Sequence, residues 1–173
     1  MEHMGVDRID SYLLHGPSRG AGLGVEDWAA WQAMEQIHES GRARLLGVSN
    51  VSLDQLEILC KDAKVKPRFV QNRCFAVSGW DRAVRVFCKT NGIVYQGFSL
   101  LTANRGAMAS RQLATFAQRH GCSPAQIIFR FAIDVGMIPL TGTTDAQHMQ
   151  SDLGVLAMQL QADEIEAIEC MTG

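Results

Sequence analysis

The chain has 173 residues, 47% of them hydrophobic, and a formal net charge of -2. That suits one soluble globular domain spanning residues 1–173. A near-neutral chain offers no electrostatic footprint for nucleic acid or an anionic membrane surface, so neither partner is expected. No apolar run approaches the roughly 20 residues of a membrane span. The first ten residues, MEHMGVDRID, carry early acids and no apolar core, which does not read as a signal peptide. Cys60, Cys74, Cys88, Cys122 and Cys170 are odd in number and form no C-x-x-C pair. They read as reduced thiols of a cytoplasmic protein, with no disulfide frame and no metal site.

In chain order, Asp10 to Leu14 (DSYLL) predicts a first strand, stopped at His15-Gly16-Pro17. The glycine-rich loop Ser18 to Gly24 lacks the G-x-x-x-x-G-K-[ST] pattern of a phosphate loop. Trp28, Trp31, Met34 and Ile37 recur at helical spacing and read as core, with Gly41 closing the helix. Ala43 to Asn50 (ARLLGVSN) is a short apolar strand that turns abruptly polar at Ser49-Asn50. Ser52 and Gln55 form an S-x-x-Q capping box for the next helix, whose apolar face is Leu53, Leu56 and Cys60.

A third strand is predicted at Arg68 to Gln71. It is followed by a helix capped at Asp81, with Val84, Phe87 and Cys88 inward. Ile93 to Phe98 is a fourth strand, and Leu113, Phe116 and Ala117 mark a short helix ending at Gly121. Ser123-Pro124-Ala125-Gln126 combines cap, first-turn proline and capping box. Met137 to Leu140 is the last strand, Asp145 can cap a helix carrying Met149 and Leu153, and Asp163 and Glu166 open a final helix.

Strand and helix thus alternate five times, which predicts parallel strands joined by right-handed crossovers. Two architectures fit: a doubly wound open sheet, or part of a (β/α)8 barrel, which normally needs about 250 residues. In either, the ligand face lies at the C-terminal ends of the strands. That face receives His15, then Ser49-Asn50, Gln71-Asn72, Phe98-Ser99 and Gly142-Thr143. Amides and hydroxyls suit a carboxamide, an aromatic ring suits a flat heterocycle, and Gly-Thr before a helix suits a phosphate.

The stretches DRIDSYLLHGP, WQAMEQIHESGRARLLGVSN, VKPRFVQN, NGIVYQGFSLL, CSPAQIIFRFAI and IPLTGTTDAQHMQSDL resemble the aldo-keto reductase family, in its order and spacing. The resemblance runs from about Gly5 to the C-terminus and implies an α/β fold: a partial (β/α)8 TIM barrel with five parallel strands, lacking the first three βα units. It implies reduction of aldehydes and ketones with NADP or NAD as cofactor. By resemblance His15 orients the substrate carbonyl. Ser49, Asn50 and Gln71 match positions that hold the nicotinamide carboxamide, and Phe98 stands for the aromatic that stacks on its ring. Ser99 and Leu101 match positions along the pyrophosphate. Gly142, Thr143, His148 and Asp152 lie where the family holds the adenosine end.

Two departures carry expectations of their own. His148 stands where many members carry arginine, and an imidazole grips a 2′-phosphate less well than a guanidinium fork. The family's N-terminal part supplies the Asp, Tyr and Lys that complete the catalytic tetrad, whereas this chain begins at what resembles the fourth strand. Tyr12 lies three residues before His15, on the opposite strand face. Tyr95 is deep in its strand, Lys61, Lys64 and Lys66 fall near the end opposite the ligand face, and Lys89 is in a helix. The chain by itself is therefore expected to be inactive. The alternative is a non-catalytic half-barrel that serves as a binding or oligomerisation module. Strand edges at Ser11 to Leu14 and Met137 to Leu140 are apolar, which predicts a homodimer.

Overall fold

The computed structural model describes residues 5–18 and 20–171. Among them run five strands: β1 (Ile9–Leu14), β2 (Ala43–Ser49), β3 (Phe69–Arg73), β4 (Val94–Phe98) and β5 (Met137–Pro139). They form one sheet in the order β1-β2-β3-β4-β5. β1 pairs with β2 in parallel, from Ile9 against Ala43 to Leu14 against Val48. β2 pairs with β3 in parallel from Gly47 against Phe69 to Ser49 against Gln71. The interleaved helices are α1 (Val25–Glu39), α2 (Leu53–Asp62), α3 (Arg82–Thr90), α4 (Arg105–Met108), α5 (Arg111–His120), α6 (Pro124–Asp134), α7 (Ala146–Gly154) and α8 (Ala162–Glu169).

The caps legible in the sequence form as expected. Ser52 Oγ accepts from the Gln55 N–H at 3.3 Å while Gln55 Oε1 accepts from the Ser52 N–H at 3.1 Å. Ser123 and Gln126 repeat the arrangement at α6, with proline in its first turn. Asp145 Oδ1 accepts from the Gln147 and His148 N–H groups at 2.7 and 3.1 Å. The structure departs from expectation at α3 and α8 and between β4 and α5. Gly79, Trp80 and Asp81 are successive left-handed residues with φ of 67°, 55° and 57°. Asp81 therefore enters α3 without the extended backbone of an ordinary N-cap. The final helix opens on a capping box of Gln161 and Glu164, ahead of the expected Asp163. The four-residue α4, too short to show an apolar repeat, has no counterpart in the sequence reading.

The chain divides into two compact units, Met1–Asn72 with Val86–Tyr95, and Arg73–Arg85 with Gln96–Gly173. In the first, the α1 stripe is core at Trp31, 1% exposed, and Met34, beside buried Leu46, Val48, Leu56 and Val70, whereas Trp28 and Ile37 of the expected stripe are only half-buried. Each such side chain contributes on the order of 1.5–3 kcal/mol on leaving water. Trp31 Nε1 donates to the Val65 carbonyl at 3.2 Å, and Glu35 accepts from the Val65 N–H at 2.8 Å, so the segment before β3 is tied to α1. Gly47 lets the strands approach closely: a Cβ there would stand 2.8 Å from the Phe69 carbonyl oxygen and 2.9 Å from Leu13 Cγ.

In the second unit Trp80 and Phe131 are fully buried and tilted at 59°, ring centroids 5.3 Å apart. Trp80 Nε1 donates to the Ile168 carbonyl at 2.8 Å, and the Trp80 carbonyl accepts from Arg85 Nε at 2.8 Å. Arg85 also pairs with Glu169. These partners hold the backbone of Trp80 in its left-handed conformation. The fully buried Glu164 of α8 accepts from Arg119 at 2.7 Å and meets His120 Nε2 at 2.8 Å, both on α5.

The five cysteines are free thiols. Burial pushes the Cys60 and Cys122 thiols up from their ordinary range. No described helix is long and apolar enough to cross a membrane. Among the described residues no group of three or more His, Cys, Asp and Glu could hold a metal.

Candidate active site

In the first unit, the exits of β1, β2 and β3 meet through backbone atoms. Ser49, 4% exposed, closes β2 and donates its hydroxyl hydrogen to the Gln71 carbonyl at 2.6 Å. The same carbonyl accepts from the Asn50 N–H at 3.1 Å. Asn50 turns the chain at φ 52°, a left-handed conformation that asparagine tolerates. Its Nδ2 donates to the His15 carbonyl at 2.7 Å and to Ser49 Oγ at 3.1 Å. His15, Ser49, Asn50 and Gln71, four of the residues singled out in the sequence, are thus brought together. Gly16 allows the approach, since a Cβ there would lie 3.2 Å from the Ser49 carbonyl oxygen and 3.3 Å from Asn50 Cβ.

Asn72, placed on the ligand face by the sequence reading, supports the turn after β2 instead, and Gln55 and Asp27 carried no role in that reading of the site. Asn72, 7% exposed, grips Val51 at both backbone groups: Oδ1 accepts from the N–H at 3.0 Å, and Nδ2 donates to the carbonyl at 2.8 Å. Gln55, besides its capping work, donates to the carbonyls of Ser18 and Gly22 at 3.1 and 2.9 Å. Asp27 accepts from the Ser18 and Gly24 N–H groups, both at 2.7 Å. The Gly24 N–H and then the Ser18 N–H hold its carboxyl below the usual carboxylate range. The glycine-rich loop after His15 is therefore fastened at both ends.

In the second unit, Phe98 ends β4 half-buried, and the Arg73 guanidinium lies 5.4 Å from its ring centroid. A flat ligand on Phe98 would share the ring with that cation or displace it. Ser99 follows at φ 56°. Two adjoining cavities come next. One, of about 240 Å³, is lined by Ser99, Leu101 and Gly142 among others. The second, of about 420 Å³, is lined by Leu101, Gly142, Thr143, His148 and Asp152, with Ser123 and Gln126 of α6. Ser99, Leu101, Gly142, Thr143, His148 and Asp152 thus lie on the walls of these two cavities.

Thr143 Oγ1 accepts from the Asp145 N–H at 3.1 Å, and Thr141 Oγ1 donates to Asp152 Oδ2 at 2.9 Å. The His148 N–H and then the Gln147 N–H hold the Asp145 carboxyl below its usual range. The sequence reading missed Asn104, 4% exposed, whose Oδ1 accepts from the Ala76 N–H at 2.6 Å. Its Nδ2 donates to the Cys74 and Leu100 carbonyls at 2.9 and 2.8 Å. It joins the loop after β3 to the turn that carries Ser99 and Leu101. No sequence pattern marked it, because its partners are all backbone groups.

Known proteins carry the same arrangement of elements. The chain is 29% identical to an NADPH-dependent alpha-keto amide reductase of Saccharomyces cerevisiae, over 97% of this chain and 57% of that protein. It is 27% identical to the glyoxal reductase of Bacillus subtilis, over 99% of this chain and 59% of that protein. The chain thus spans well under two thirds of the curated relatives it matches. An aldo-keto reductase from a Medee basin deep-sea metagenome superposes with a TM-score of 0.87 at 22% identity, over 99% of this chain and 63% of that one. An aldo/keto reductase from Brucella melitensis superposes at 0.82 with 26% identity, over 97% and 62%. The fold is therefore the partial (β/α)8 barrel expected from the sequence, with five parallel strands. Residues 1–171 match the family model for aldo/keto reductases, and with that match over nearly its whole length the chain belongs to the aldo/keto reductase family.

Proposed function

We propose that this chain carries the nicotinamide-dinucleotide and carbonyl-orienting residues of an NAD(P)H-dependent carbonyl reductase. The observation that carries the reading is the joining of His15, Ser49, Asn50 and Gln71 by hydrogen bonds at three adjacent strand exits. The residues fit a carboxamide. Ser49 Oγ spends its hydrogen on the Gln71 carbonyl and keeps acceptor capacity, and Asn50 Oδ1 has no protein donor among the described residues. Both can accept from a carboxamide NH₂. In the second unit, taken by itself, Phe98 offers an aromatic face, Ser99 and Leu101 line the smaller cavity, and Gly142, Thr143, His148 and Asp152 line the larger one, the residues that the family resemblance assigns to the rest of a dinucleotide. The cofactor, when bound, supplies the hydride.

His15 is the residue assigned to the carbonyl. It is exposed, and its ring has no protein hydrogen bond among the described residues, so an imidazole nitrogen is available to a substrate oxygen. Neither tyrosine of the chain is suited to protonate that oxygen. Tyr12 lies on the opposite face of β1 from His15 by strand alternation, and Tyr95 is 2% exposed within β4. Loss of a proton donor costs about 10²–10⁴-fold in rate. The 173 residues by themselves should therefore bind the cofactor and turn over little. The test is titration with NADH and NADPH followed by tryptophan fluorescence, beside an assay of cofactor oxidation with a reactive aldehyde. Saturable binding without aldehyde-dependent oxidation supports the reading. Oxidation abolished by His15→Ala would reveal an unassigned acid.

One observation favours a second reading, an oligomerisation module. β1 and β5 each have a single sheet neighbour among the described residues, with Tyr12 39% and Ile138 48% exposed. An open strand edge with apolar side chains invites pairing with another chain. The homodimer proposed on that basis should scatter light with twice the mass of one chain, and a dilution-stable single-chain mass would exclude it.

A further inference from the structure

A further cavity of the second unit, of about 360 Å³, opens between α6, β5 and the end of α7. Its floor is Phe129, Met137 and Val155, each 3% exposed. Its rim is Ile138, Leu153 and Leu156, which are 48%, 69% and 67% exposed. It plays no part in dinucleotide binding as proposed above. Leucines left that open to water beside an apolar hollow mark a surface that another molecule covers.

The rim is held in place. Gln126 Nε2 donates to the Ser151 carbonyl at 3.0 Å, Arg130 Nη1 donates to the Val155 carbonyl at 3.3 Å, and Thr141 Oγ1 donates to Asp152 Oδ2 at 2.9 Å. α7 and the short helical turn Val155–Ala157 after it are thereby tied to α6 and to the exit of β5. A surface fixed before contact loses little freedom on binding. The chain's own last helix is not the cover. α8 is engaged through Glu164 with Arg119 and His120 of α5 and through Glu169 with Arg85 of α3, and no described residue of α8 lines the cavity.

Charge decides what kind of cover fits. Residues 146–162, which include α7 and the turn after it, carry one charged side chain, Asp152, in a chain that is 20% charged. No lysine or arginine lines the cavity among the described residues, and Arg130 and Asp134 of α6 pair with each other. Interface cores are depleted of charge in this way. A highly charged partner would find few counter-ions here, whereas a second copy of the same apolar face meets it with little like charge to oppose.

The face also carries both halves of a contact. The rim leucines stand beside the hollow, so a two-fold axis next to the opening would seat Leu153 and Leu156 of each copy over the floor of the other. Building on the oligomerisation reading above, we infer that the face formed by α6, β5 and α7 is a self-association surface, on which two copies of the chain pack these leucines into each other's cavity. The edge of β1 takes no part in that contact.

Light scattering of the whole chain over a dilution series tests this. Wild type should show twice the mass of one chain. Leu153→Glu with Leu156→Glu should raise the dimer dissociation constant at least about thirtyfold, as the loss of central anchors does. Both side chains are mostly exposed in a single copy, so circular-dichroism spectra of the variant should remain those of a folded chain. Tyr12→Lys, at the exposed edge of β1, should leave the dimer unchanged. Hydrogen exchange of wild type decides without any variant: the amides of residues 149–157 should be slower in the dimer than in the diluted chain. A dimer that persists in the leucine variant, that Tyr12→Lys abolishes, or that leaves exchange at 149–157 unchanged overturns the inference and leaves the oligomerisation reading intact. A dilution-stable single-chain mass for wild type overturns both.

Discussion

Asn72 and Val51 form a closed pair: one side-chain amide satisfies both the N–H and the carbonyl of a single residue, at 3.0 and 2.8 Å. Val51 follows directly on Asn50, so this pair sets where the turn at the end of β2 leaves the sheet. The partners are 21 residues apart in the chain.

Asn72→Ala would strand two buried backbone groups. The expected loss is about 2–4 kcal/mol in denaturant unfolding, since each unsatisfied buried group costs about 1–3 kcal/mol. Nicotinamide affinity should fall with it, as Asn50 loses its support. Asn104→Ala is the counterpart in the second unit, stranding the Ala76 N–H and the Cys74 and Leu100 carbonyls. A loss of similar size is expected there. Unchanged midpoints in either variant would show that the amide bonds are replaceable by water.

Gly47→Ala tests the close approach of three strands. The added methyl would meet backbone, the Phe69 carbonyl oxygen at 2.8 Å, as well as Leu13 Cγ and Phe69 Cβ at 2.9 Å. Backbone cannot swing aside as a flexible side chain can, so destabilisation of about 1–3 kcal/mol is expected. Thermal melting measures it, and a melting point equal to wild type would contradict the packing described here.

Glu164 predicts an acid limb to the stability curve. Burial acts to raise its carboxyl pKa, but the Gln161 N–H, His120 and Arg119 together outweigh burial and hold it below the ordinary value of 4.5. A carboxyl whose folded value lies below its unfolded one stabilises the fold above the unfolded value. That contribution is fully present above about pH 4.5 and is lost as pH falls through the folded value. Glu164→Gln should remove this limb and cost about 2 kcal/mol or more at pH 7, by leaving Arg119 and His120 without their buried partner. Urea unfolding at stepped pH reads both effects, and an unaltered acid limb in the variant would assign it to other groups.

Local chemistry was written in the sequence. Ser52 with Gln55, Ser123 with Gln126, and Asp145 with the two N–H groups after it are bonds closed within three residues. Their spacing alone announces them. The strand-helix alternation was equally legible, because a chain that buries one face of each element must repeat its apolar residues at the period of that element. From these came the five strands, the polar set at their ends and the family resemblance.

What the tertiary structure alone decided lies at long sequence separation. Asn72 finds Val51, Asn104 finds Cys74, Ala76 and Leu100, and Gln55 reaches back to the loop at Ser18 and Gly22. The partners are backbone groups, which every residue carries, so no residue type marks them in advance. The left-handed run at Gly79, Trp80 and Asp81 is of the same kind. Asp81 is of a type that visits that conformation, but Trp80 does not favour it locally. Trp80 holds it through its buried ring, its bond to Ile168 and the grip of Arg85 on its carbonyl, none of which exists until the chain has folded.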